Sequence, residues 1–224
     1  MTNNALIIGG SSGLGLEIAL ELSKKYDVTV TGRRDPCQDA VRFMPLDIGA
    51  DTCALQRKLD ELTAALPHTD LFVYAAGFYQ EGTIDKLTDE DIMKMNNAGF
   101  LAPALLISRI INKQQELPGY IAITSTSQWT PRLYEPIYTG VKAGLAKLSE
   151  SLALDPRVHK TLIAAPAGMK TRFWEGTGRD LSVMLDPKWA AKQVVELYED
   201  DFRYKFAKIM REPARVEVVE KIER

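Results

Sequence analysis

Cysteine and histidine are nearly absent from this chain. Cys37 and Cys53 are the only cysteines, and His68 and His159 the only histidines, among its 224 residues. None of the four falls into a close ligand spacing, so no metal site is expected. Two isolated thiols suit a reducing compartment, and a cytoplasmic location is the expectation. Long apolar runs are also missing. Ala5-Leu6-Ile7-Ile8 passes straight into glycines, too short for a secretory core, and no stretch approaches the roughly 18 apolar residues of a membrane span. A basic excess is lacking as well. The net charge of −2 offers nothing to neutralise phosphates, so neither nucleic acid nor a membrane surface is expected as a partner. What is present, 46% hydrophobic and 26% charged residues, is the composition of a soluble globular protein. The length suits a single α/β domain.

Short apolar runs alternate with segments of helical period. Ala5–Ile8, Val28–Thr31, Val41–Leu46, Leu71–Tyr74, Tyr120–Thr124 and Leu162–Ala165 read as strands. Several are continuously apolar, as strands buried on both faces are. Leu14, Ile18 and Leu22 recur every fourth residue and mark an amphipathic helix, as do Val141, Leu145, Leu148 and Leu152. This alternation predicts a Rossmann-type, doubly wound parallel sheet in three α/β/α layers, with right-handed crossovers. From Tyr198 onward the chain is charged and less patterned; Arg215-Val216-Glu217-Val218-Val219 reads as a short edge strand.

The first strand runs into Gly9-Gly10-Ser11-Ser12-Gly13-Leu14-Gly15, and a helical pattern opens there. Glycines let a backbone turn tightly and approach a pyrophosphate, while the amides and dipole of the helix N-terminus favour the anion. The spacing resembles the short-chain dehydrogenase/reductase family in its compact single-domain branch. The resemblance continues from about Ala5 to Thr171 through further motifs in the family's order. It implies one domain, residues 1–224, carrying both a nicotinamide dinucleotide and a substrate, with Gly9, Ser11, Ser12, Gly13, Leu14 and Gly15 around the phosphates.

Dinucleotide folds select between NAD and NADP near the end of the second strand, where a carboxylate binds ribose hydroxyls and an arginine accommodates the extra phosphate. Here the strand ends Val30-Thr31-Gly32-Arg33-Arg34. By the resemblance Gly32 stands at the acidic position, and Arg33 and Arg34 follow where a guanidinium can hold a phosphate in a bidentate pair. NADP(H) is therefore expected over NAD(H), although Asp35 weakens the positive field. Asp47, with Ile48, resembles the family's segment beside the adenine.

Tyr138-Thr139-Gly140-Val141-Lys142 is YxxxK. Four residues are one helical turn, so phenol and ammonium share a face, and a nearby cation favours phenolate. Ser125 closes the strand Ile121–Thr124 thirteen residues before Tyr138, the spacing of the family's catalytic serine. The end of a parallel strand and the start of the next helix meet at the carboxyl edge of the sheet, where the glycine loop also lies. Asn96-Asn97-Ala98-Gly99 resembles the family's N-x-x-G. The spacing favours Asn96 as the catalytic asparagine, with Asn97 the other choice. Asparagine is a poor helix-interior residue, and Pro103 is expected to leave the Gly99 carbonyl without its helical partner. A kink here would hold a relay water for Lys142.

Pro166-Ala167-Gly168-Met169-Lys170-Thr171 looks like the family's P-G-x-x-x-T loop beside the nicotinamide, implicating Pro166, Gly168, Met169 and Thr171. Ala167 replaces the family's glycine. Tyr74-Ala75-Ala76-Gly77 stands where many members carry N-N-A-G; Ala75, Ala76 and Gly77 are expected along the cofactor.

The resemblance implies hydride transfer between NADP(H) and a small carbonyl or alcohol substrate. Tyr138 would be the general acid/base, Ser125 the donor to the carbonyl oxygen, Lys142 the partner of tyrosine and nicotinamide ribose, and Asn96 the holder of the water. Tyr138, Lys142 and Asn96 would also meet the cofactor. An epimerase sharing the fold, or a dinucleotide-binding regulator without turnover, are the alternatives. Phe78, Tyr79, Gln128, Trp129, Tyr134, Phe173 and Trp174 are pocket candidates, Arg132 either meets an anionic substrate or is solvated, and the segment from Trp174 to Leu185 is a candidate lid. Relatives pair the two long helices, here Ala98–Ile111 and Tyr138–Leu154. Leu101, Leu105 and Ile110 exceed what one sheet face needs, so a homodimer or homotetramer is expected.

Overall fold

The computed structural model describes residues 2–49 and 51–223. Eight strands form one sheet in the order β3-β2-β1-β4-β5-β6-β7-β8. These are β1 (Asn3–Ile8), β2 (Tyr26–Gly32), β3 (Arg42–Pro45), β4 (Leu71–Tyr74), β5 (Gly119–Ile123), β6 (Thr161–Pro166), β7 (Tyr204–Arg211) and β8 (Ala214–Ile222). Neighbours are parallel up to β7, and β8 returns antiparallel along it. The fold is the expected doubly wound, Rossmann-type sheet. The expected edge strand is β8, longer than its apolar core suggested, but β7 was not foreseen.

Among the described residues six α-helices cover the faces: α1 (Gly13–Leu22), α2 (Thr52–Ala65), α3 (Asp89–Asn96), α4 (Ala102–Gln114), α5 (Pro136–Leu152) and α6 (Pro187–Glu199). Alternate strand residues feed two cores, as the strand period of two requires. Ala5, Ile7, Leu71 and Val73 pack with Ile18, Leu22 and Val194 of α1 and α6. Leu6, Ile8, Phe72 and Tyr74 pack with Leu59, Leu106 and Leu145 of α2, α4 and α5. The α1 stripe is the one its period predicts: Leu14, Ile18 and Leu22 are all buried. On α5 the buried stripe is Val141, Leu145 and Ser149, one step round from Leu148 and Leu152. Ser149 satisfies its hydroxyl on the Leu145 carbonyl at 2.8 Å.

The chain leaves β1 toward β2 and β3 on one side and then crosses to β4 on the other. The carboxyl ends of β1 and β4 thus flank a topological switch point, where open α/β sheets bind ligands. Among the described residues no helix is long and apolar enough to cross a membrane.

Between α3 and α4 lies a π turn, Asn97–Leu101, at the position where the sequence predicts a kink. The Ala102 amide bonds the Asn97 carbonyl, five residues back. By the same register the Ala98 carbonyl would need the amide of Pro103, which has none. The Ala98 carbonyl takes its donor from outside the helix: the Tyr74 hydroxyl donates to it at 2.6 Å. Gly99 has a different reason: a Cβ there would lie 2.5 Å from Val141 Cγ2, so α5 approaches the π turn only across a glycine.

Candidate active site

Gly9 and Gly13 have φ of +79° and +56°, the left-handed region that side chains disfavour. A Cβ on Gly9 would meet the Ala76 backbone at 2.6 Å, and one on Gly15 the Gly9 carbonyl oxygen at 2.2 Å. The loop thus lies directly against Ala75 and Ala76. Ser12 is the N-cap of α1, yet its side chain makes no cap hydrogen bond and the first turn holds no acidic residue. The amides of that turn are left for an anion, with Ser11 and Leu14 flanking them. A Cβ on Gly13 would lie 3.4 Å from Thr171 Cγ2, which brings the segment after β6 across the loop. Within that segment Pro166 ends β6, Gly168 faces Met184 and Trp174, and Met169 bridges to Leu185. This cradle fits the diphosphate of a dinucleotide.

At the end of β2 a Cβ on Gly32 would fall 1.9 Å from Ser11 Oγ, so the place of the family's acidic residue is filled by the loop itself. Arg33 and Arg34 are exposed beyond it. Asp35 turns back on its own chain, accepting from the Cys37 amide at 2.8 Å. Asp47 is exposed and Ile48 half-buried, at the carboxyl end of β3.

Ser125, Tyr138 and Lys142 come together as expected. Ser125 Oγ accepts from the Ser127 amide at 3.1 Å, capping the turn Thr126–Gln128, and its hydroxyl keeps its own proton to offer. It lies near enough to Tyr138 to lower the pKa of the phenol. Lys142 is buried, donates to the Ile123 carbonyl at 3.0 Å and lies 5.8 Å from the Tyr138 ring centroid. Its Nζ is also near Gly77, where a Cβ would lie 3.9 Å from it. Burial brings the Lys142 ammonium down to about 8. Tyr138 is pushed up by burial, opposed by the Ser125 hydrogen bond and reinforced by Glu135 and Tyr79. The lysine is expected to favour phenolate; in this arrangement desolvation by burial outweighs the opposing influences and raises the tyrosine pKa.

Asn96 is not drawn into this group. It is exposed, and its amide donates to the Ile92 carbonyl at 3.0 Å. Asn97 is the buried one, donating to the Gly49 carbonyl at 2.9 Å and so tying the Asp47–Gly49 turn to the π turn.

Four of the pocket candidates surround the tyrosine. Tyr79 meets the Tyr138 ring edge-on with centroids 5.2 Å apart, Phe173 lies 5.9 Å from Tyr138, and Trp174 lies 5.2 Å from Tyr79; Phe78 packs on the same cluster. The others do not. Trp129 stacks toward Phe206 in a groove it shares with Gln128, and Tyr134 is exposed. Arg132 is partly solvated and also reaches the Glu135 carboxylate at 3.4 Å. Glu135 itself carried no signal in the sequence, because its partners Tyr79 and Arg179 lie 56 and 44 residues away.

Residues 3–181 match the family described as short chain dehydrogenase. An uncharacterized oxidoreductase of Escherichia coli, YohF, is 29% identical over 75% of this chain and 72% of its own. The 3-oxoacyl-[acyl-carrier-protein] reductase FabG of Aggregatibacter actinomycetemcomitans is 26% identical over 73% of this chain and 74% of its own. Among solved structures, an alcohol dehydrogenase from Thermococcus sibiricus complexed with 5-hydroxy-NADP superposes with a TM-score of 0.80 at 19% identity, covering 96% of this chain and 99% of that one. A short-chain dehydrogenase from Sphingobium yanoikuyae in complex with NADPH gives 0.79 at 19% identity, covering 92% and 87%.

Proposed function

Because this chain belongs to the short chain dehydrogenase family, we propose that it is an oxidoreductase that moves hydride between NADP(H) and a carbonyl or alcohol substrate. The observation that carries this reading is the convergence of Ser125, Tyr138 and the buried Lys142 at the sheet edge that also bears the uncapped glycine cradle. One domain, residues 1–224, serves both cofactor and substrate. The names of NADP- and NADPH-bound neighbours and the paired Arg33 and Arg34 support the phosphorylated cofactor.

When bound, the dinucleotide supplies or accepts the hydride. In the reductive direction Tyr138 gives its phenolic proton to the substrate oxygen; its raised pKa keeps that proton in place at neutral pH. Ser125 donates to the same oxygen, where negative charge develops. Lys142 stands close enough to the ring to lower the cost of the phenolate that remains, and holds the nicotinamide ribose. Ala75, Ala76, Gly77, Pro166, Gly168, Met169 and Thr171 flank the nicotinamide end, and Asp47 and Ile48 the adenine.

The test is Tyr138→Phe, which keeps the ring and removes the hydroxyl. Turnover is expected to vanish while NADPH binding stays nearly intact. Near-normal turnover by the folded variant would reduce Tyr138 to a helix residue, and a regulator without turnover would show no carbonyl reduction before or after the change.

Association through α4 and α5, in a cytoplasmic homodimer or homotetramer, belongs to the same reading. The face differs from the one expected: Ile110 is a core residue, whereas Phe100 is exposed and lies over Gly144 of α5. Light scattering giving a 25.0 kDa particle at micromolar concentration would rule assembly out.

A further inference from the structure

Glu135 precedes α5 and is only 2% exposed, yet its carboxylate has no part in the chemistry above. Four side chains converge on it. Arg179 donates to Oε1 at 2.8 Å, the Tyr79 hydroxyl to the same oxygen at 3.3 Å, and Ser127 Oγ to Oε2 at 3.3 Å, while Arg132 approaches Oε1 at 3.4 Å. Arg179 further donates to the Tyr79 hydroxyl at 2.8 Å and to Glu81 at 3.1 Å. Its guanidinium lies 4.8 Å from the Trp174 ring centroid. Gly176 and Gly178, with φ of +81° and +66°, bend the segment so that Arg179 returns onto the cluster it leaves at Trp174.

Two consequences follow for whatever sits before Tyr138. The wall facing it is aromatic, formed by Tyr79, Phe173 and Trp174, and is held there by the Arg179–Glu135 pair. Both guanidiniums beside it are engaged. Arg132 and Arg179 share Glu135 and Arg179 also pairs with Glu81, while Lys94 pairs with Glu90 at 2.5 Å and Lys142 bonds the Ile123 carbonyl. A substrate carboxylate or phosphate placed here would lose its water, gain no free guanidinium and face two carboxylates. A flat apolar body would instead pack on Phe173 and Trp174, the half-buried rings of that wall.

We propose that this site takes an uncharged carbonyl or alcohol compound with a flat apolar body, seated against Phe173 and Trp174 with Tyr79 behind them, and that Glu135 is the positioning residue that sets this preference by holding Arg179 and Arg132. The inference rests on the carbonyl reading for the identity of the reacting group, but it concerns binding and is tested there.

Calorimetric titration of the enzyme with acetophenone and with its para-carboxylate, each with and without saturating NADP⁺, measures the preference without turnover. Acetophenone is expected to bind at least about tenfold tighter, a ratio set by the unpaired carboxylate. Glu135→Gln releases two guanidiniums from their shared anion, and the ratio is expected to fall to about threefold or less. Arg179→Leu is the second variant. It leaves the carboxylate disfavoured but frees the aromatic wall, so acetophenone is expected to bind severalfold more weakly to a protein with an unchanged circular dichroism spectrum. Equal or tighter binding of the para-carboxylate, no binding of either compound at millimolar concentration, or a ratio unmoved in folded Glu135→Gln would overturn the proposal. If the ratio behaves as expected while neither ketone is reduced by NADPH, the hydride-transfer reading fails and the ligand preference stands.

Discussion

The Tyr74 hydroxyl, at the end of β4, donates to the Ala98 carbonyl in the π turn at 2.6 Å, and both groups are buried. The bond accounts for the tyrosine at the strand end, because Pro103 has no amide to offer the carbonyl in the π register. Replacing Tyr74 with Phe keeps the ring among Phe72 and Tyr120 and leaves the carbonyl unsatisfied. Urea denaturation is expected to show a loss of about 1–3 kcal/mol; an unchanged midpoint would mean the carbonyl finds another donor.

Gly15 tests the cradle. A methyl group there would overlap the Gly9 carbonyl oxygen, a backbone atom that cannot rotate aside. Gly15→Ala is expected to cost about 1–3 kcal/mol of stability and to weaken NADPH binding severalfold, since the loop must shift away from Ala75 and Ala76. A folded variant with undiminished affinity would show that the loop geometry does not shape the cofactor site.

Lys142 makes stability depend on pH in a defined window. Its folded-state pKa is lowered from 10.5 to about 8 by burial, so between those values the unfolded chain binds the extra proton. Unfolding free energy should therefore rise with pH from about 8 to 10, by at most about 1.4 kcal/mol per unit. Lys142→Met should remove that rise. Above 10 the buried phenols of Tyr74, Tyr120 and Tyr138, all raised by burial, act in the opposite sense, which confines the measurement to the lower window. A slope identical in both proteins would mean Lys142 is not desolvated in solution.

Arg33 tests the cofactor preference. With Gly32 filled by Ser11 and both arginines exposed beyond it, NADPH is expected to bind at least tenfold tighter than NADH, about 1.4 kcal/mol. Arg33→Ala should shrink that gap by weakening NADPH alone. Fluorescence titration in which NADH binds equally well would refute the assignment.

The sequence by itself determined the elements whose signals are local. Strands buried on both faces show as short apolar runs, the glycine loop as required left-handed positions, the π turn as an asparagine pair before a proline, and YxxxK as one helical turn. Each rests on residues a few positions apart. β7 escaped because Lys205, Lys208 and Arg211 interrupt it; Lys205 is buried only by bonding Asp200 and the Leu197 carbonyl at 2.8 Å each, partners its own run does not reveal. The tertiary structure alone decided that the Tyr138 pKa is raised, because desolvation depends on what covers the ring. It alone assembled Glu135 with Tyr79 and Arg179, and it alone brought the Tyr74 hydroxyl to the Ala98 carbonyl. Local geometry is written in neighbouring residues, whereas burial and charge pairing arise only once distant segments of the chain are brought into contact.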